Sequence, residues 1–390
     1  MLKHLATICL LSLVFFMPQV TLALAPADLS AIGDFRAFTH NIEGSPKKNN
    51  LNLKMQELEI AIQGYLNPYA KADVFVSSGG DNFEIEEASA TILRGLPVNL
   101  NIKVGQYLVD FGKLNQGHPH GWSFVDRPIS HRMLLGADGL KDVGIGVSTL
   151  LPIGVYSKLS LNVLSGRSLA WEDEERGTEK PMGVGRWSVF LPVGEHGNMD
   201  AGISGLYGTY LGKDAAGADG HNLKATMAVV DVKYKYHPSD YTSLVLQGEW
   251  LLNHRQLLRD SAVTSVSNGG GFAFVDYGFH KRFNAGMLID YAPGVFDYQA
   301  DDLYETGPEE DNNTPLGRFD NQNSTLSLTG FVGFGLVEET TLIRLYGRYM
   351  KFNIDDPQLL ANPEMTSKKS QFLLGLQVIF TMGPHKPHEF

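Results

Sequence analysis

The stretch QFLLGLQVIFT, residues 371–381, decides the fold. Phe372, Leu374, Leu376, Val378 and Phe380 fall on one side of an extended chain, and Leu373, Gly375, Gln377 and Ile379 on the other. That period of two is the mark of a strand and not of a helix. The alternation recurs upstream. Ile343, Leu345, Gly347 and Tyr349 alternate with Arg344, Tyr346 and Arg348, and Leu58, Ile60 and Ile62 with Glu57, Glu59 and Gln63. Val98, Leu100, Ile102 and Val104 alternate with Asn99, Asn101 and Lys103, and Val230, Val232 and Tyr234 with Asp231, Lys233 and Lys235. A helix would scatter these charges around its axis, whereas a strand gathers them on one polar face.

Working outward, the links between such segments alternate in length. Terse ones centre on Asn67-Pro68, Gly95-Leu96-Pro97, Pro152-Ile153-Gly154, Leu191 to Asn198, His237 to Asp240, Lys281-Arg282 and Val337 to Thr340. Those between them, such as Phe111 to Gly139 and Gly294 to Gln322, are mostly longer and more polar. Outer-membrane barrels have this asymmetry, with tight periplasmic turns and longer extracellular loops. The pattern predicts an all-β, transmembrane antiparallel β-barrel of about sixteen strands. It places the first at 32–40, the fifth at 97–110 and the twelfth at 270–280. In such a barrel the apolar face meets lipid and the polar face the lumen. Closure is required because an open sheet edge in hydrocarbon leaves backbone N–H and C=O groups unpaired.

The N-terminus agrees with this location. Lys3 and His4 precede an apolar run from Leu5 to Met17, then Pro18 and small residues. This reads as a secretory signal peptide, about 1–25, with cleavage expected between Ala23 and Ala27 and the barrel filling 26–390. The only cysteine, Cys9, lies in that leader, so the mature chain is expected to have no disulfide and no cysteine metal site. The formal charge is −11, and one unit more negative once Lys3 leaves, which argues against nucleic acid as a partner.

The third long link stands apart from the others. Its stretch VGQYLVDFGKLNQGHPHGWSFVDRP, 104–128, runs from a strand through a Phe-Gly-Lys step into a segment with Trp122, Phe124 and Val125. A solvated loop would leave these uncovered, so the third extracellular loop is expected to fold into the lumen. The stretch resembles the phosphate-selective porin superfamily, and a branch of it labelled zinc-regulated outer-membrane receptors that has similar His and Asp-Arg-Pro elements. The resemblance implies a porin, with a homotrimer as the expected assembly. The charges depart from a phosphate channel's ladder of cations. Lys103, Lys113, Arg127, Arg132, Lys158, Arg186, Arg344 and Arg348 are offset by Glu57, Glu59, Asp73, Asp126, Asp231, Glu249, Asp276 and Asp290.

The function expected is passive diffusion of small polar or ionic solutes across the outer membrane, with 111–139 as the constriction. Lys113, Asp126, Arg127, His131 and Arg132 are its candidate residues, facing Lys103, Arg344 and Arg348 on the wall. The alternative is a divalent-metal-binding outer-membrane receptor or uptake component, with His118 and His120 as candidate Zn²⁺ ligands. Otherwise no cofactor is expected, and the partners are small hydrophilic solutes and outer-membrane lipids. No enzyme is expected, since Gly202-Ile203-Ser204-Gly205 misses the nucleophile-elbow pattern. The acidic groups Glu172 to Glu175, Asp301-Asp302 and Glu309 to Asp311 read as solvated loops, and His385 and His388 as a frayed tail.

Overall fold

The computed structural model describes residues 27–384 apart from 43–44, 46, 80–82, 137, 171–179, 214–218, 260–261, 295–322, 338–339 and 356–369. The signal peptide, the three acidic groups and the two tail histidines lie outside the described residues.

Sixteen strands form one closed barrel in which every neighbour in sequence is a neighbour in space. They are β1 (Asp28–His40), β2 (Asn52–Asn67), β3 (Ala70–Ser78), β4 (Glu84–Ile92), β5 (Asn101–Leu108), β6 (Lys141–Leu150), β7 (Tyr156–Leu164) and β8 (Met182–Val193). The second half comprises β9 (Gly197–Lys213), β10 (Asp219–Ser239), β11 (Thr242–Arg259), β12 (Ala262–Phe279), β13 (Phe283–Pro293), β14 (Asn323–Val337), β15 (Thr341–Ile354) and β16 (Ser370–Met382). The last strand closes on the first, antiparallel, from Ala31 opposite Met382 to His40 opposite Leu373. No helix among the described residues is long and apolar enough to cross a membrane.

The two faces follow the alternation. On β16, Phe372, Leu374 and Phe380 are exposed, while Leu373, Gln377 and Ile379 are buried. On β15, Leu345 and Tyr349 are exposed, while Arg344 and Arg348 are buried. An outward belt of apolar side chains around a polar interior is the arrangement of a barrel in the outer membrane. Leu345 sits midway along its strand and 54% exposed. Leu345→Arg is expected to lower the stability of the lipid-embedded barrel by about 2–4 kcal/mol, the cost of a cation at the bilayer midplane. Urea unfolding from phospholipid vesicles reads it.

Three strands begin four or more residues from the sequence expectation. The fifth strand begins at Asn101 and not at 97, because Pro97–Asn99 forms a 3-10 turn with Val98 at φ 51°. Val98 continues the apolar alternation without belonging to the strand. The twelfth starts at Ala262, eight residues before 270. Its added part carries Thr264, Ser265, Ser267 and Asn268 and pairs with Asn253 to Arg259 of β11 through the backbone. Beyond the hydrocarbon a strand needs only its ladder, so no apolar alternation marks it. The first strand begins at Asp28.

Two bulges shape the interior wall. In β2 the register against β1 slips between Asp34 and Phe35, which leaves Gln56 without an opposite residue. In β4 the register against β3 slips between Phe75 and Val76, which leaves Glu86 over. A bulge turns one extra side chain toward the face its neighbour uses. Consecutive Glu86 and Glu87 therefore both find cationic partners, at Lys141 and Lys103.

Candidate functional site

Between β5 and β6, residues 109–140 leave the sheet and return to it. The two ends are held together. Val109 N–H donates to Leu140 O at 2.9 Å. Asn115, fully buried, donates through Nδ2 to Val109 O and Leu140 O and accepts from Leu140 N, each at 2.9 Å. Gly112 has φ +71°, and the place of its missing Cβ is taken by the Glu249 carboxylate. A side chain there would be both strained and obstructed. Asn115→Leu is expected to destabilise the fold by about 1–3 kcal/mol, because it leaves the Leu140 N–H without its acceptor and takes one donor from each of Val109 O and Leu140 O. Chemical unfolding measures the loss, and protease cleavage within 112–138 is expected to accelerate.

The apolar side of this segment joins the wall. Leu114, Trp122, Phe124, Val125, Ile129 and Met133 form one buried cluster with Phe272 and Phe274 of β12, Leu288 of β13, Phe331 of β14 and Tyr346 of β15. Phe124 packs edge-on against Phe274 with ring centroids 4.9 Å apart. Helix α1 (Ile129–Leu135) is buried at every position. Asp290 of β13 accepts hydrogen bonds from the N–H groups of Ile129 and Ser130, which satisfies donors that a helix start leaves open. His131 Nε2 lies 3.0 Å from Glu249 Oε2, and Leu114 N–H donates to Glu249 Oε1 at 2.5 Å.

Charge extends these contacts to β1 and β15, the strands on either side of β16. Asp126 sits between Arg36 of β1 and Arg348 of β15, paired with both. Burial alone would raise the Asp126 carboxyl, but the two guanidinium groups outweigh it and hold it well below the usual carboxylate range. Arg36 also pairs with Asp34 at 2.7 Å. Arg344 donates to Trp122 O at 3.3 Å and to Gln377 Oε1 at 2.7 Å. Arg127 lies over the Trp122 ring at 4.9 Å, and burial lowers its guanidinium to about 10.

The two histidines before Trp122 lie against β2 and β4. His118 Nδ1 is 2.9 Å from Glu59 Oε2, and its Nε2 is 3.0 Å from Glu87 Oε1. Burial would lower the His118 pKa, but these two carboxylates outweigh it and hold it up to about 10. His118 is thus an imidazolium bridging two strands, with both ring nitrogens occupied by carboxylates. His120 stacks beside it at 5.7 Å, with Nδ1 3.8 Å from Glu59 Oε2.

The sequence-derived residues therefore divide. Asp126 meets Arg348, and Trp122 of the same segment meets Arg344. His131 is fully buried and Arg127 and Arg132 nearly so; His131 anchors the segment to β11 through Glu249. Lys113 pairs with Asp200 at 2.9 Å and Lys103 with Glu87 at 3.1 Å. Both line open space. One cavity of ≈ 660 Å³ is bounded by Lys71, Lys103, Lys113, Lys158 and Arg186 together with Asp110 and Asp200. An adjoining one of ≈ 350 Å³ adds Lys233 and Lys235. A third, of ≈ 1080 Å³, extends from His120 and Trp122 to the short turns at 237–243 and 278–284. Sequence reading missed Asn115, Glu86 and Glu87. Asn115 has no pattern to betray it, and the bulge that exposes Glu86 is invisible without the partner strand.

No family model matches the chain. An uncharacterised protein of Aquifex aeolicus is 28% identical over 259 residues, covering 62% of this chain and 54% of that protein. The chain thus spans about half the length of the curated relative it matches. Among solved structures it is similar to an anion-selective porin from Comamonas acidovorans, with TM-score 0.57, 9% identity and coverage of 92% of this chain and 100% of that one. OprB of Pseudomonas putida gives TM-score 0.57 at 11% identity, covering 92% and 94%. The trimer form of OmpT, an outer-membrane protein of Vibrio cholerae, gives 0.52 at 8% identity, covering 91% and 99%. At these identities the likeness is one of fold: a sixteen-strand outer-membrane barrel.

Proposed function

We propose that the chain is a porin for passive diffusion of small hydrophilic solutes, with residues 111–139 as the constriction across its lumen. The observation that carries this reading is the reach of the segment. Asp126 touches Arg36 and Arg348, Ile129 touches Asp290, His131 touches Glu249 and His118 touches Glu59 and Glu87. These wall groups come from β1, β15, β13, β11, β2 and β4, so a single segment meets the wall on several sides. The barrel surrounds it and leaves a path beside it. No covalent step is involved. Solutes move down their gradient, sorted by width and by wall charge.

The path runs past Lys71, Lys103, Lys113, Lys158, Lys233 and Lys235, where cations outnumber the carboxylates Asp73, Glu87, Asp110 and Asp200. A modest preference for anions follows from this lining. Lys113→Glu/Lys233→Glu is expected to move the reversal potential in a salt gradient toward cation selectivity. Planar bilayers containing refolded protein test both ideas, with stepwise conductance expected from the parent. Purified, folded protein that forms no channels would sink the reading. A homotrimer is the assembly expected, supported by the trimer form of the OmpT neighbour. Light scattering in detergent tests it.

A further inference from the structure

We propose that Glu57 and Glu59 of β2, together with His120, form a binding site for a divalent transition-metal ion that ties the 111–139 segment to the barrel wall. One ligand atom from each of the three lies within 4.8 Å of the others. Two carboxylates and one imidazole are a donor set suited to Zn²⁺ and its first-row neighbours. The imidazole disfavours Ca²⁺ and Mg²⁺, which take oxygen.

The charges around the site support a cation. Three carboxylates meet here, those of Glu57, Glu59 and Glu87. His118 pairs with Glu59 and Glu87, and Lys103 with Glu87. Neither a lysine nor an arginine pairs with Glu57 among the described residues. A second observation is independent of this count. Glu59 is only 1% exposed, and its Oε1 accepts no hydrogen bond. A buried carboxylate oxygen left open is costly unless something else meets it.

The site is also preorganised. Glu57 and Glu59 share the inward face of one strand, two residues apart, and the bulge at Gln56 ends that run. His120 is fixed on a 3-10 turn, Pro119–Gly121, and stacks on His118. His118 in turn stacks on Phe75 of β3 at 4.6 Å. His118 would not be a ligand. With both ring nitrogens on carboxylates, it orients Glu59 from outside the shell, the role that groups behind metal ligands commonly fill. This differs from a His118–His120 pair, the set that the sequence alone suggests.

The test uses the full mature chain, refolded in detergent and stripped with a chelator, carrying His385→Ala/His388→Ala so that the tail cannot contribute. Zn²⁺ is titrated in competition with a chromophoric chelator. One ion per chain is expected, undisturbed by excess Ca²⁺. Glu57→Gln and His120→Ala are each expected to weaken it at least tenfold, since even outer-shell losses cost about 10–100-fold. His254→Ala, an exposed side chain of β11, is expected to leave it unchanged. If His120→Ala fails to fold, shown by its heat-modifiable migration, the isosteric Glu57→Gln decides alone. X-ray absorption of the Zn²⁺-loaded parent is expected to show a single imidazole among oxygen donors. Parent-like affinity in Glu57→Gln, or a shell with two imidazoles, overturns the proposal. None of these readouts depends on conductance, so failure as a channel and failure as a metal site are separable.

Discussion

Replacing residues 113–138 by a short glycine-serine link is expected to raise single-channel conductance several-fold and to leave a folded, closed barrel. On the proposed reading the segment narrows the lumen with Trp122, Phe124, α1 and the charged residues around them, and ionic current is limited by the narrowest section it crosses. The sheet itself does not depend on the segment, because all sixteen strand pairings are made without it. Stability is nonetheless expected to fall. Phe272, Phe274, Leu288 and Phe331 lose their apolar cover, each worth about 1.5–3 kcal/mol when fully buried. Arg36 and Arg348 lose Asp126. The measurement is bilayer conductance alongside thermal unfolding. Unchanged conductance in a variant that still migrates as a folded barrel would show that the segment does not obstruct the path.

Asp126→Ala carries the second-largest effect. It leaves Arg36 and Arg348 buried together without the carboxylate between them, and breaking a buried ion pair by removing one partner costs about 3–5 kcal/mol. Asp34 still holds Arg36, which places the expected loss toward the lower end. The variant is expected to unfold at lower denaturant, to be cleaved faster within 112–138 and to show noisier channels as the segment detaches. Acid acts on the same group. Two arginines depress the Asp126 pKa in the folded chain. Its contribution is therefore fully present above the unfolded carboxylate value, about 3.9, and is lost as pH falls through the folded value below it. The parent thus keeps this connection at pH 5 and loses it only in strong acid. Asp126→Asn, already uncharged, is expected to show no such step. Unfolding midpoints measured across that pH range distinguish the two.

Outside this segment the barrel obeys rules legible along the chain. β16 and β15 could be read residue by residue, since each side chain has one of two environments and alternates between them. Reading failed where no such contrast exists. Val98 mimics a strand residue in a turn, since hydrophobicity reports nothing about φ. The first part of β12 carries no apolar alternation, and its backbone ladder with β11, joined by the Asn253–Asn268 and His254–Ser267 side-chain pairs, holds it in the sheet.

The third link shows the same division. Its aromatics mark it as a segment needing cover, and Asp126 and Arg348 both stand out as charges. That they meet is not visible in either stretch, because 222 residues separate them. His131 resembles a pore residue by composition, and only its burial against Glu249 makes it an anchor. His118 and His120 look like a matched pair, but the neighbouring strands give them different partners. One has two carboxylates at its ring nitrogens, and the other faces Glu57 and Glu59.

By itself the sequence determined the architecture, since strand number, order and facing depend on local periodicity and link length. Pairing between consecutive strands then adds almost no choice. The tertiary structure decided the chemistry of the interior. Closing the sheet brings β1 beside β16 and sets against the third link strands far from it in sequence, and two bulges set which glutamates turn inward. Each buried charge takes its role from the group opposite, and that group is known only once the barrel is closed.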